Sequence, residues 1–311
     1  MNREIGGYFE LETYDEDMFH NDALHLNSGG AALRYLVRAY EINLIYVPFY
    51  TCPVVFEALN REGCEIKFYN IDENFLPTGN IPKNEFIIAN NYFGICTENI
   101  EKLACLYKYL IVDNAQSFFS APRGFADFYS PRKFFGLPDG GLLYSKKRIS
   151  ETLEISKSYD NMAHLLKRHD LGAREGYADF KINDGNTSMK PIARMSKLTQ
   201  ALMGNINYNK TKQKRLTNFN YLHAELSYLN ELTIDGNISG PMVYPLLVKN
   251  TSLRDKLINA SIYVARYWKY SELTAKKCER AMYLSRYLLP LPIDQRYTIE
   301  DMKRIVDIIK S

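Results

Sequence analysis

Apolar residues in the first half of the chain come in short β-branched or aromatic runs, and between the runs they recur at the spacing of a helix face. Runs at 44–47, 65–69, 86–89, 109–112, 126–129 and 141–145 are expected as strands, and 31–40, 53–60, 99–108 and 148–159 as helices. Strands alternating with helices build a mostly parallel sheet covered on both faces, so the pattern predicts an α/β fold. From 194 to 229, Met195, Leu198 and Leu202 keep helical spacing and predict one or two long helices. After Gly236 and Gly240 the pattern starts afresh, with a strand at 242–248, helices at 253–259 and 271–283, and a strand at 288–291. A closing helix from Thr298 carries Ile299, Met302, Ile305, Val306 and Ile309 on one stripe. This break divides the chain into a large domain, 1–232, and a smaller C-terminal α/β domain, 233–311.

At 311 residues and 46% apolar the chain can close a substantial core, which excludes disorder and a small disulfide-stapled module. The 24 Tyr and 16 Phe against one Trp ask for a further explanation, because such rings fill cores, line pockets or cover interfaces. Charge is uneven: residues 1–145 hold 11 basic and 19 acidic side chains, 11 − 19 = −8, and the remainder 28 and 17, giving +11. Lys and Arg in the basic half are spread among Asp and Glu, which favours solvated helices over a nucleic-acid surface. Five cysteines without a Cys-x-x-Cys pair suggest neither a disulfide framework nor a zinc site. The first residues lack a secretory signal's apolar stretch, and the most apolar segment, 42–56, is broken by Asn43, Pro48, Thr51 and Pro53. A cytoplasmic protein without membrane insertion is expected.

Phosphate-loop, dinucleotide, nucleophile-elbow and zinc-protease signatures are absent, and His164 and His169 do not share a helix face. Three segments carry candidate chemistry. Asn27-Ser28-Gly29-Gly30-Ala31 opens a helix, where small residues and the helix dipole favour an anion, although a capped helix alone would look the same. Asp113 ends an apolar strand, at the edge where open α/β sheets bind ligands and where a carboxylate can meet a protonated group. Lys133 lies between two strands among aromatics, where partial desolvation is expected to lower its pKa and make it nucleophilic toward a carbonyl. A lone Lys is ordinarily a solvated surface charge. Together a phosphate cradle, a strand-ending Asp and a hemmed-in Lys are parts a pyridoxal-phosphate site needs.

At these residues the sequence resembles the DegT/DnrJ/EryC1/StrS family of sugar aminotransferases. The resemblance runs through Leu26-Asn27-Ser28-Gly29-Gly30-Ala31-Ala32-Leu33, Val47-Pro48 with Thr51, and Tyr92-Phe93-Gly94. It continues through Val112-Asp113-Asn114-Ala115-Gln116, Lys133 followed by Asp139-Gly140-Gly141, Arg194-Met195-Ser196 and Leu289-Pro290-Leu291-Pro292. The resemblance implies the three-layer, mostly parallel sheet of the type I pyridoxal-phosphate aminotransferase fold, a homodimer, and amination of a nucleotide-linked keto sugar with glutamate as donor. The implied setting is amino-sugar synthesis for a surface polysaccharide such as lipopolysaccharide. It makes Lys133 the lysine that condenses with pyridoxal 5'-phosphate, Asp113 the pyridinium partner and Gln116 a contact near the ring oxygen. Ser28, Gly29, Gly30 and Ala31 form the phosphate cradle, with backbone N–H contacts from Gly30 and Ala31. Where the family has Thr, an aromatic ring and Ser, this chain has Gly30, Cys52 and Phe128. Ser130 and Arg132 are then expected to restore phosphate contacts, and Tyr50 or Tyr92 the stack on the ring. A partner-subunit Asn aligns near Ile192, with Asn186 close enough to replace it.

Lys133 itself argues against the family's sugar dehydratases, which carry His there. Two rivals stay open: a catalytically impaired sugar-nucleotide-binding relative, and an anion or nucleic-acid binder using the basic half. Of eight adjacent aromatic pairs, Phe49-Tyr50, Tyr92-Phe93 and Phe118-Phe119 fall beyond strand ends, and Phe128-Tyr129 and Phe134-Phe135 bracket Lys133. That clustering predicts a walled, partly dry pocket around the lysine.

Overall fold

The computed structural model describes residues 7–14, 17–234, 236, 238–268 and 278–311, and only the backbone of 187–189. Its strands are β1 (Leu24–Leu26), β2 (Leu44–Pro48), β3 (Glu65–Ile71), β4 (Pro77–Thr78), β5 (Phe86–Asn90), β6 (Tyr109–Asp113), β7 (Ala126–Tyr129), β8 (Gly141–Tyr144), β9 (Val243–Leu247) and β10 (Leu288–Pro292). Its helices are α1 (Gly29–Tyr40), α2 (Pro53–Arg61), α3 (Thr97–Leu106), α4 (Ala163–Leu171), α5 (Tyr177–Met189), α6 (Lys197–Gly204), α7 (Tyr208–Leu226), α8 (Leu253–Asn259), α9 (Glu279–Tyr287) and α10 (Ile299–Lys310).

An eight-stranded sheet runs in the order β1-β8-β7-β6-β5-β2-β3-β4. Strands β7, β6, β5, β2 and β3 are parallel, and β1, β8 and β4 close the edges in antiparallel pairings. Side chains alternate between the two faces of a strand. Ile88 and Ile111 accordingly join α1 and α2 in one core, while Ile87, Ala89, Leu110 and Val112 join α3, α7 and the C-terminal elements in another. Helices on both faces make three layers, and β9 and β10 form a separate antiparallel pair. The stripe of α10 buries Met302, Ile305, Val306 and Ile309, and Thr298 with Asp301 closes a capping box at its start.

The segment expected as a helix at 148–159 is irregular. Its backbone is used elsewhere: Ile149 N–H donates to Tyr35 Oη at 3.1 Å and Ser156 N–H to Arg194 O at 2.9 Å, so long-range pairing overrides local propensity. The stretch from 194 begins its helix only at Lys197, where Ser196 Oγ caps α6. Of the helix expected at 271–283, residues 271–277 lie outside the described residues, and α9 runs on to Tyr287. Strand β1 and helices α4 and α5 were not expected from the pattern.

Candidate active site

Strand order sets the place. From β2 the chain continues outward to β3, and from β5 it continues the opposite way to β6, so the sheet's switch point lies between β2 and β5. Ligands of open α/β sheets bind at the carboxyl ends of strands beside such a point. Tyr50 to Cys52 follow β2, Asn90 ends β5 ahead of Asn91 to Phe93, and Asp113 ends β6 ahead of Asn114 to Gln116. Lys133 arrives beside them on a one-turn 3₁₀ helix after β7, its N–H donating to Ser130 O at 3.1 Å.

Asp113 is buried, and its Oδ1 accepts the Ala115 N–H at 2.8 Å. Burial pushes its carboxyl up, while the Lys133 charge and the Ala115 bond pull it down. Burial also raises the Cys52 thiol, opposed by Lys133 and reinforced by Asp113 and Asp184. Lys133, Asp113 and Cys52 thus share one electrostatic neighbourhood. Lys133 is exposed, however, so the expected partial desolvation is not found. Phe134 and Phe135 take the buried side of its turn and pack ring against ring, Phe118 lying 4.9 Å from Phe135 and 5.9 Å from Tyr208. These rings form a core behind the lysine, not walls around it.

The entrance of α1 meets the Lys133 turn. A Cβ on Gly29 would stand 3.5 Å from Ser130 Cβ, and one on Gly30 would stand 3.2 Å from Val54 Cγ1. A Cβ on Gly141 would collide with the Ser28 backbone at 2.1 Å, so glycine there lets β8 run against the loop before the helix. Ser28 Oγ accepts the Ala31 N–H at 3.0 Å. The helix cap therefore takes the Ala31 donor expected for a phosphate, and Gly29 meets Ser130 beside Gly30 at the helix entrance. Arg132, with 13% of its side chain exposed, reaches Asp184 of α5 at 3.5 Å, and its Nε has no partner. Burial lowers its pKa, and its charge with burial lowers that of nearby His164.

Gln116 Oε1 accepts the Phe93 N–H at 3.0 Å, while its buried Nε2 is unpartnered. Asn90 donates to Thr51 Oγ1 at 2.8 Å and keeps an unpartnered Oδ1. Buried polar atoms without partners are uncommon and mark places where something else completes the bonding. Tyr50 and Tyr92 do not offer a free stacking face: their rings stack on each other at 5.6 Å, Tyr92 Oη donates to Tyr50 O at 2.6 Å, and Tyr50 Oη to Tyr267 O at 2.9 Å. Both are sealed in the core. Phe128 and Ile192 are buried in the core on the α1 side of the sheet, and Asn186 is exposed on α5.

Sequence reasoning missed Asp184 and Asn183, whose Nδ2 donates to Pro138 O at 2.9 Å and ties α5 to the loop after Lys133. It also missed Asn90, although an Asn one strand over from Asp113 was a readable signal. Phe93 sits at φ 58°, a left-handed conformation that is strained for an aromatic residue and clusters at functional sites. Among the described residues no group of His, Cys, Asp or Glu could hold a metal ion, and no helix is long and apolar enough to cross a membrane.

No protein-family model matches the chain, and no curated protein is similar to it in sequence. Solved structures share its fold. A DegT DnrJ EryC1 StrS aminotransferase from Brucella abortus superposes with a TM-score of 0.63 at 16% identity, over 93% of this chain and 85% of that one. The sugar aminotransferase CalS13 from Micromonospora echinospora gives 0.63 at 16%, over 93% and 87%. The GDP-4-keto-6-deoxy-D-mannose-3-dehydratase of E. coli, solved with bound hydrated PLP, gives 0.64 at 16%, over 92% and 87%. The architecture is that of the sugar aminotransferases, which a dehydratase also uses.

Proposed function

We propose that this chain is a pyridoxal-phosphate-dependent aminotransferase that converts a nucleotide-linked keto sugar to an amino sugar, with glutamate as donor. The observation that carries the reading is the meeting of Lys133, Asp113 and the unpartnered Gln116 Nε2 at the carboxyl edge of the sheet, next to the α1 entrance. The residues fit the cofactor: a buried carboxyl for a protonated ring nitrogen, an orphan donor for a ring oxygen, and a glycine-lined turn with Ser130 for a phosphate. When bound, pyridoxal phosphate supplies a reactive aldehyde and an electron-accepting ring. Lys133 Nζ anchors it and serves as the base that takes and returns the proton at the substrate carbon bearing nitrogen. Asp113 holds the proton at the ring nitrogen, since a buried carboxylate is stabilised as an anion by a cation beside it. Gln116 Nε2 orients the ring, and Arg132 with Ser130 assists at the phosphate.

The reading includes a homodimer in the cytoplasm, serving surface-polysaccharide synthesis, with 1–232 as the cofactor-binding unit and 233–311 as the smaller one. Support for a second copy comes from α4 and α5, which leave Leu166, Leu171, Tyr177, Phe180 and Ile182 exposed beside the site. A second reading, a binding relative that has lost turnover, is favoured by the capped Ala31 N–H and by Cys52, which offers no ring. Adding pyridoxal phosphate to the purified chain should produce a visible absorbance band that Lys133→Ala abolishes and glutamate discharges. No band in the parent would remove the aminotransferase reading, and a band that glutamate leaves unchanged would select the second.

A further inference from the structure

Residues 262–268, far along the chain, bring Tyr267 and Trp268 against the segments that follow β2 and β5. Arg266 Nε donates to Ser285 O at 3.0 Å and Ser285 Oγ to Trp268 O at 2.7 Å, so the segment is fixed to α9. Tyr267 is tied to both sides of the switch point. On the β2 side Tyr50 Oη bonds its carbonyl, and the Trp268 ring meets Tyr50 edge-on at 4.9 Å. On the β5 side Phe93, whose N–H is held by Gln116, lies nearly parallel to the Tyr267 ring at 6.4 Å and 24°. Tyr50, Tyr92 and Phe93 are sealed, whereas Tyr267 is only partly buried. Burial, with the Cys52 thiol nearby, pushes its phenol up to about 12, so the hydroxyl beside Cys52 is neutral at physiological pH. At Cys52 the crevice wall has no ring of its own.

We propose that Tyr267 is the aromatic wall on which a planar ligand ring is seated at the β2/β5 switch point, on the side that Cys52 leaves open. This rests on the pyridoxal-phosphate reading and deepens it by bringing the C-terminal unit into direct contact with the cofactor. Trp268, the single Trp of the chain, adjoins Tyr267 and reports binding through quenching of its fluorescence, without any need for turnover.

The test is a titration of the full chain with pyridoxal phosphate, read by Trp268 fluorescence and visible absorbance. Tyr267→Leu, which keeps apolar bulk against Phe93, should weaken binding ~3- to 10-fold, the worth of one aromatic stack. Tyr267→Phe should bind like the parent. Adding Cys52→Tyr to Tyr267→Leu should recover affinity, because it returns a ring to the same crevice. Parent-like binding by Tyr267→Leu overturns the proposal, and so does a loss that Cys52→Tyr leaves unrepaired and that a lowered urea midpoint accompanies, since packing then explains it. A parent chain that does not bind pyridoxal phosphate at all removes the aminotransferase reading, an outcome distinct from a binding parent with an indifferent Tyr267.

Discussion

A buried and a half-buried arginine flank the Lys133 turn in opposite conditions. Arg215, 1% exposed, donates to Phe134 O at 3.2 Å, Pro241 O at 3.2 Å, Met242 O at 3.0 Å and Gln295 Oε1 at 3.0 Å, and lies 4.5 Å over the Phe134 ring. It joins the turn after Lys133 to the strand that opens the C-terminal unit. Arg132, one residue before the lysine, has a single long contact to Asp184 and an unpartnered Nε. The acids repeat the contrast. Asp127 accepts from Asn114 Nδ2 and the N–H groups of Arg123 and Gly124, whereas Asp113 accepts from Ala115. A buried polar group whose valences are all met specifies structure, and one left short beside a crevice is poised for a ligand.

The largest expected effect comes from the satisfied side. Arg215→Met strands the Pro241 and Met242 carbonyls, while Phe134 O keeps its bond from Gln295 Nε2 at 2.8 Å, and should cost about 4 kcal/mol in urea unfolding, because each orphaned buried acceptor costs about 1–3 kcal/mol. An equal loss in Arg132→Ala would break the contrast.

Next is pH. Burial lifts the Asp127 carboxyl from 3.8 to about 6, so its contribution to stability is full below 3.8 and is lost as pH rises through 6. Two units correspond to about 3 kcal/mol. His20, whose Nε2 bonds Phe118 O at 2.6 Å, works in the opposite sense: burial lowers it from 6.5 to about 4, so its contribution is present above 6.5 and lost as pH falls through 4. The two offset each other in the parent. Urea titrations from pH 4 to 7 should show Asp127→Asn gaining stability with rising pH and His20→Gln losing it, and coincident profiles for the two would sink the assignment.

Smallest in stability is Arg132→Ala, expected within about 1 kcal/mol of the parent because it removes a half-satisfied cation. Its pyridoxal-phosphate affinity should nevertheless fall about tenfold, the worth of one charge-assisted bond. Unchanged affinity would take Arg132 out of the cradle.

Much of the site was legible because its chemistry sits at element ends with local signals. Ser28 and the glycines announce a helix entrance, and the apolar run before Asp113 announces a strand whose end must face the edge. The hemmed position of Lys133 was readable, but its exposure was not, because which side of a one-turn helix the flanking phenylalanines occupy depends on Tyr208 and Phe118, far away in sequence. The aromatic pairs illustrate the same limit. Their positions beyond strand ends were visible, yet Tyr50 and Tyr92 face each other, and Tyr267, which is only partly buried, comes from a segment with no strand or helix signature. Helices α4 and α5 were missed because their apolar residues stay exposed and leave no clear stripe.

By itself the sequence determined the alternation of strands and helices and the candidacy of Asp113 and Lys133. These follow from backbone sterics, periodicity and residue chemistry, which act over a few positions. Only the tertiary structure decided that the switch point falls between β2 and β5, that the Ser28 backbone abuts Gly141, and that Gln116, Asn90 and Arg132 keep unmet valences. Those depend on contacts between residues tens to more than a hundred positions apart, where burial and competition for partners choose among arrangements that local pattern leaves equivalent.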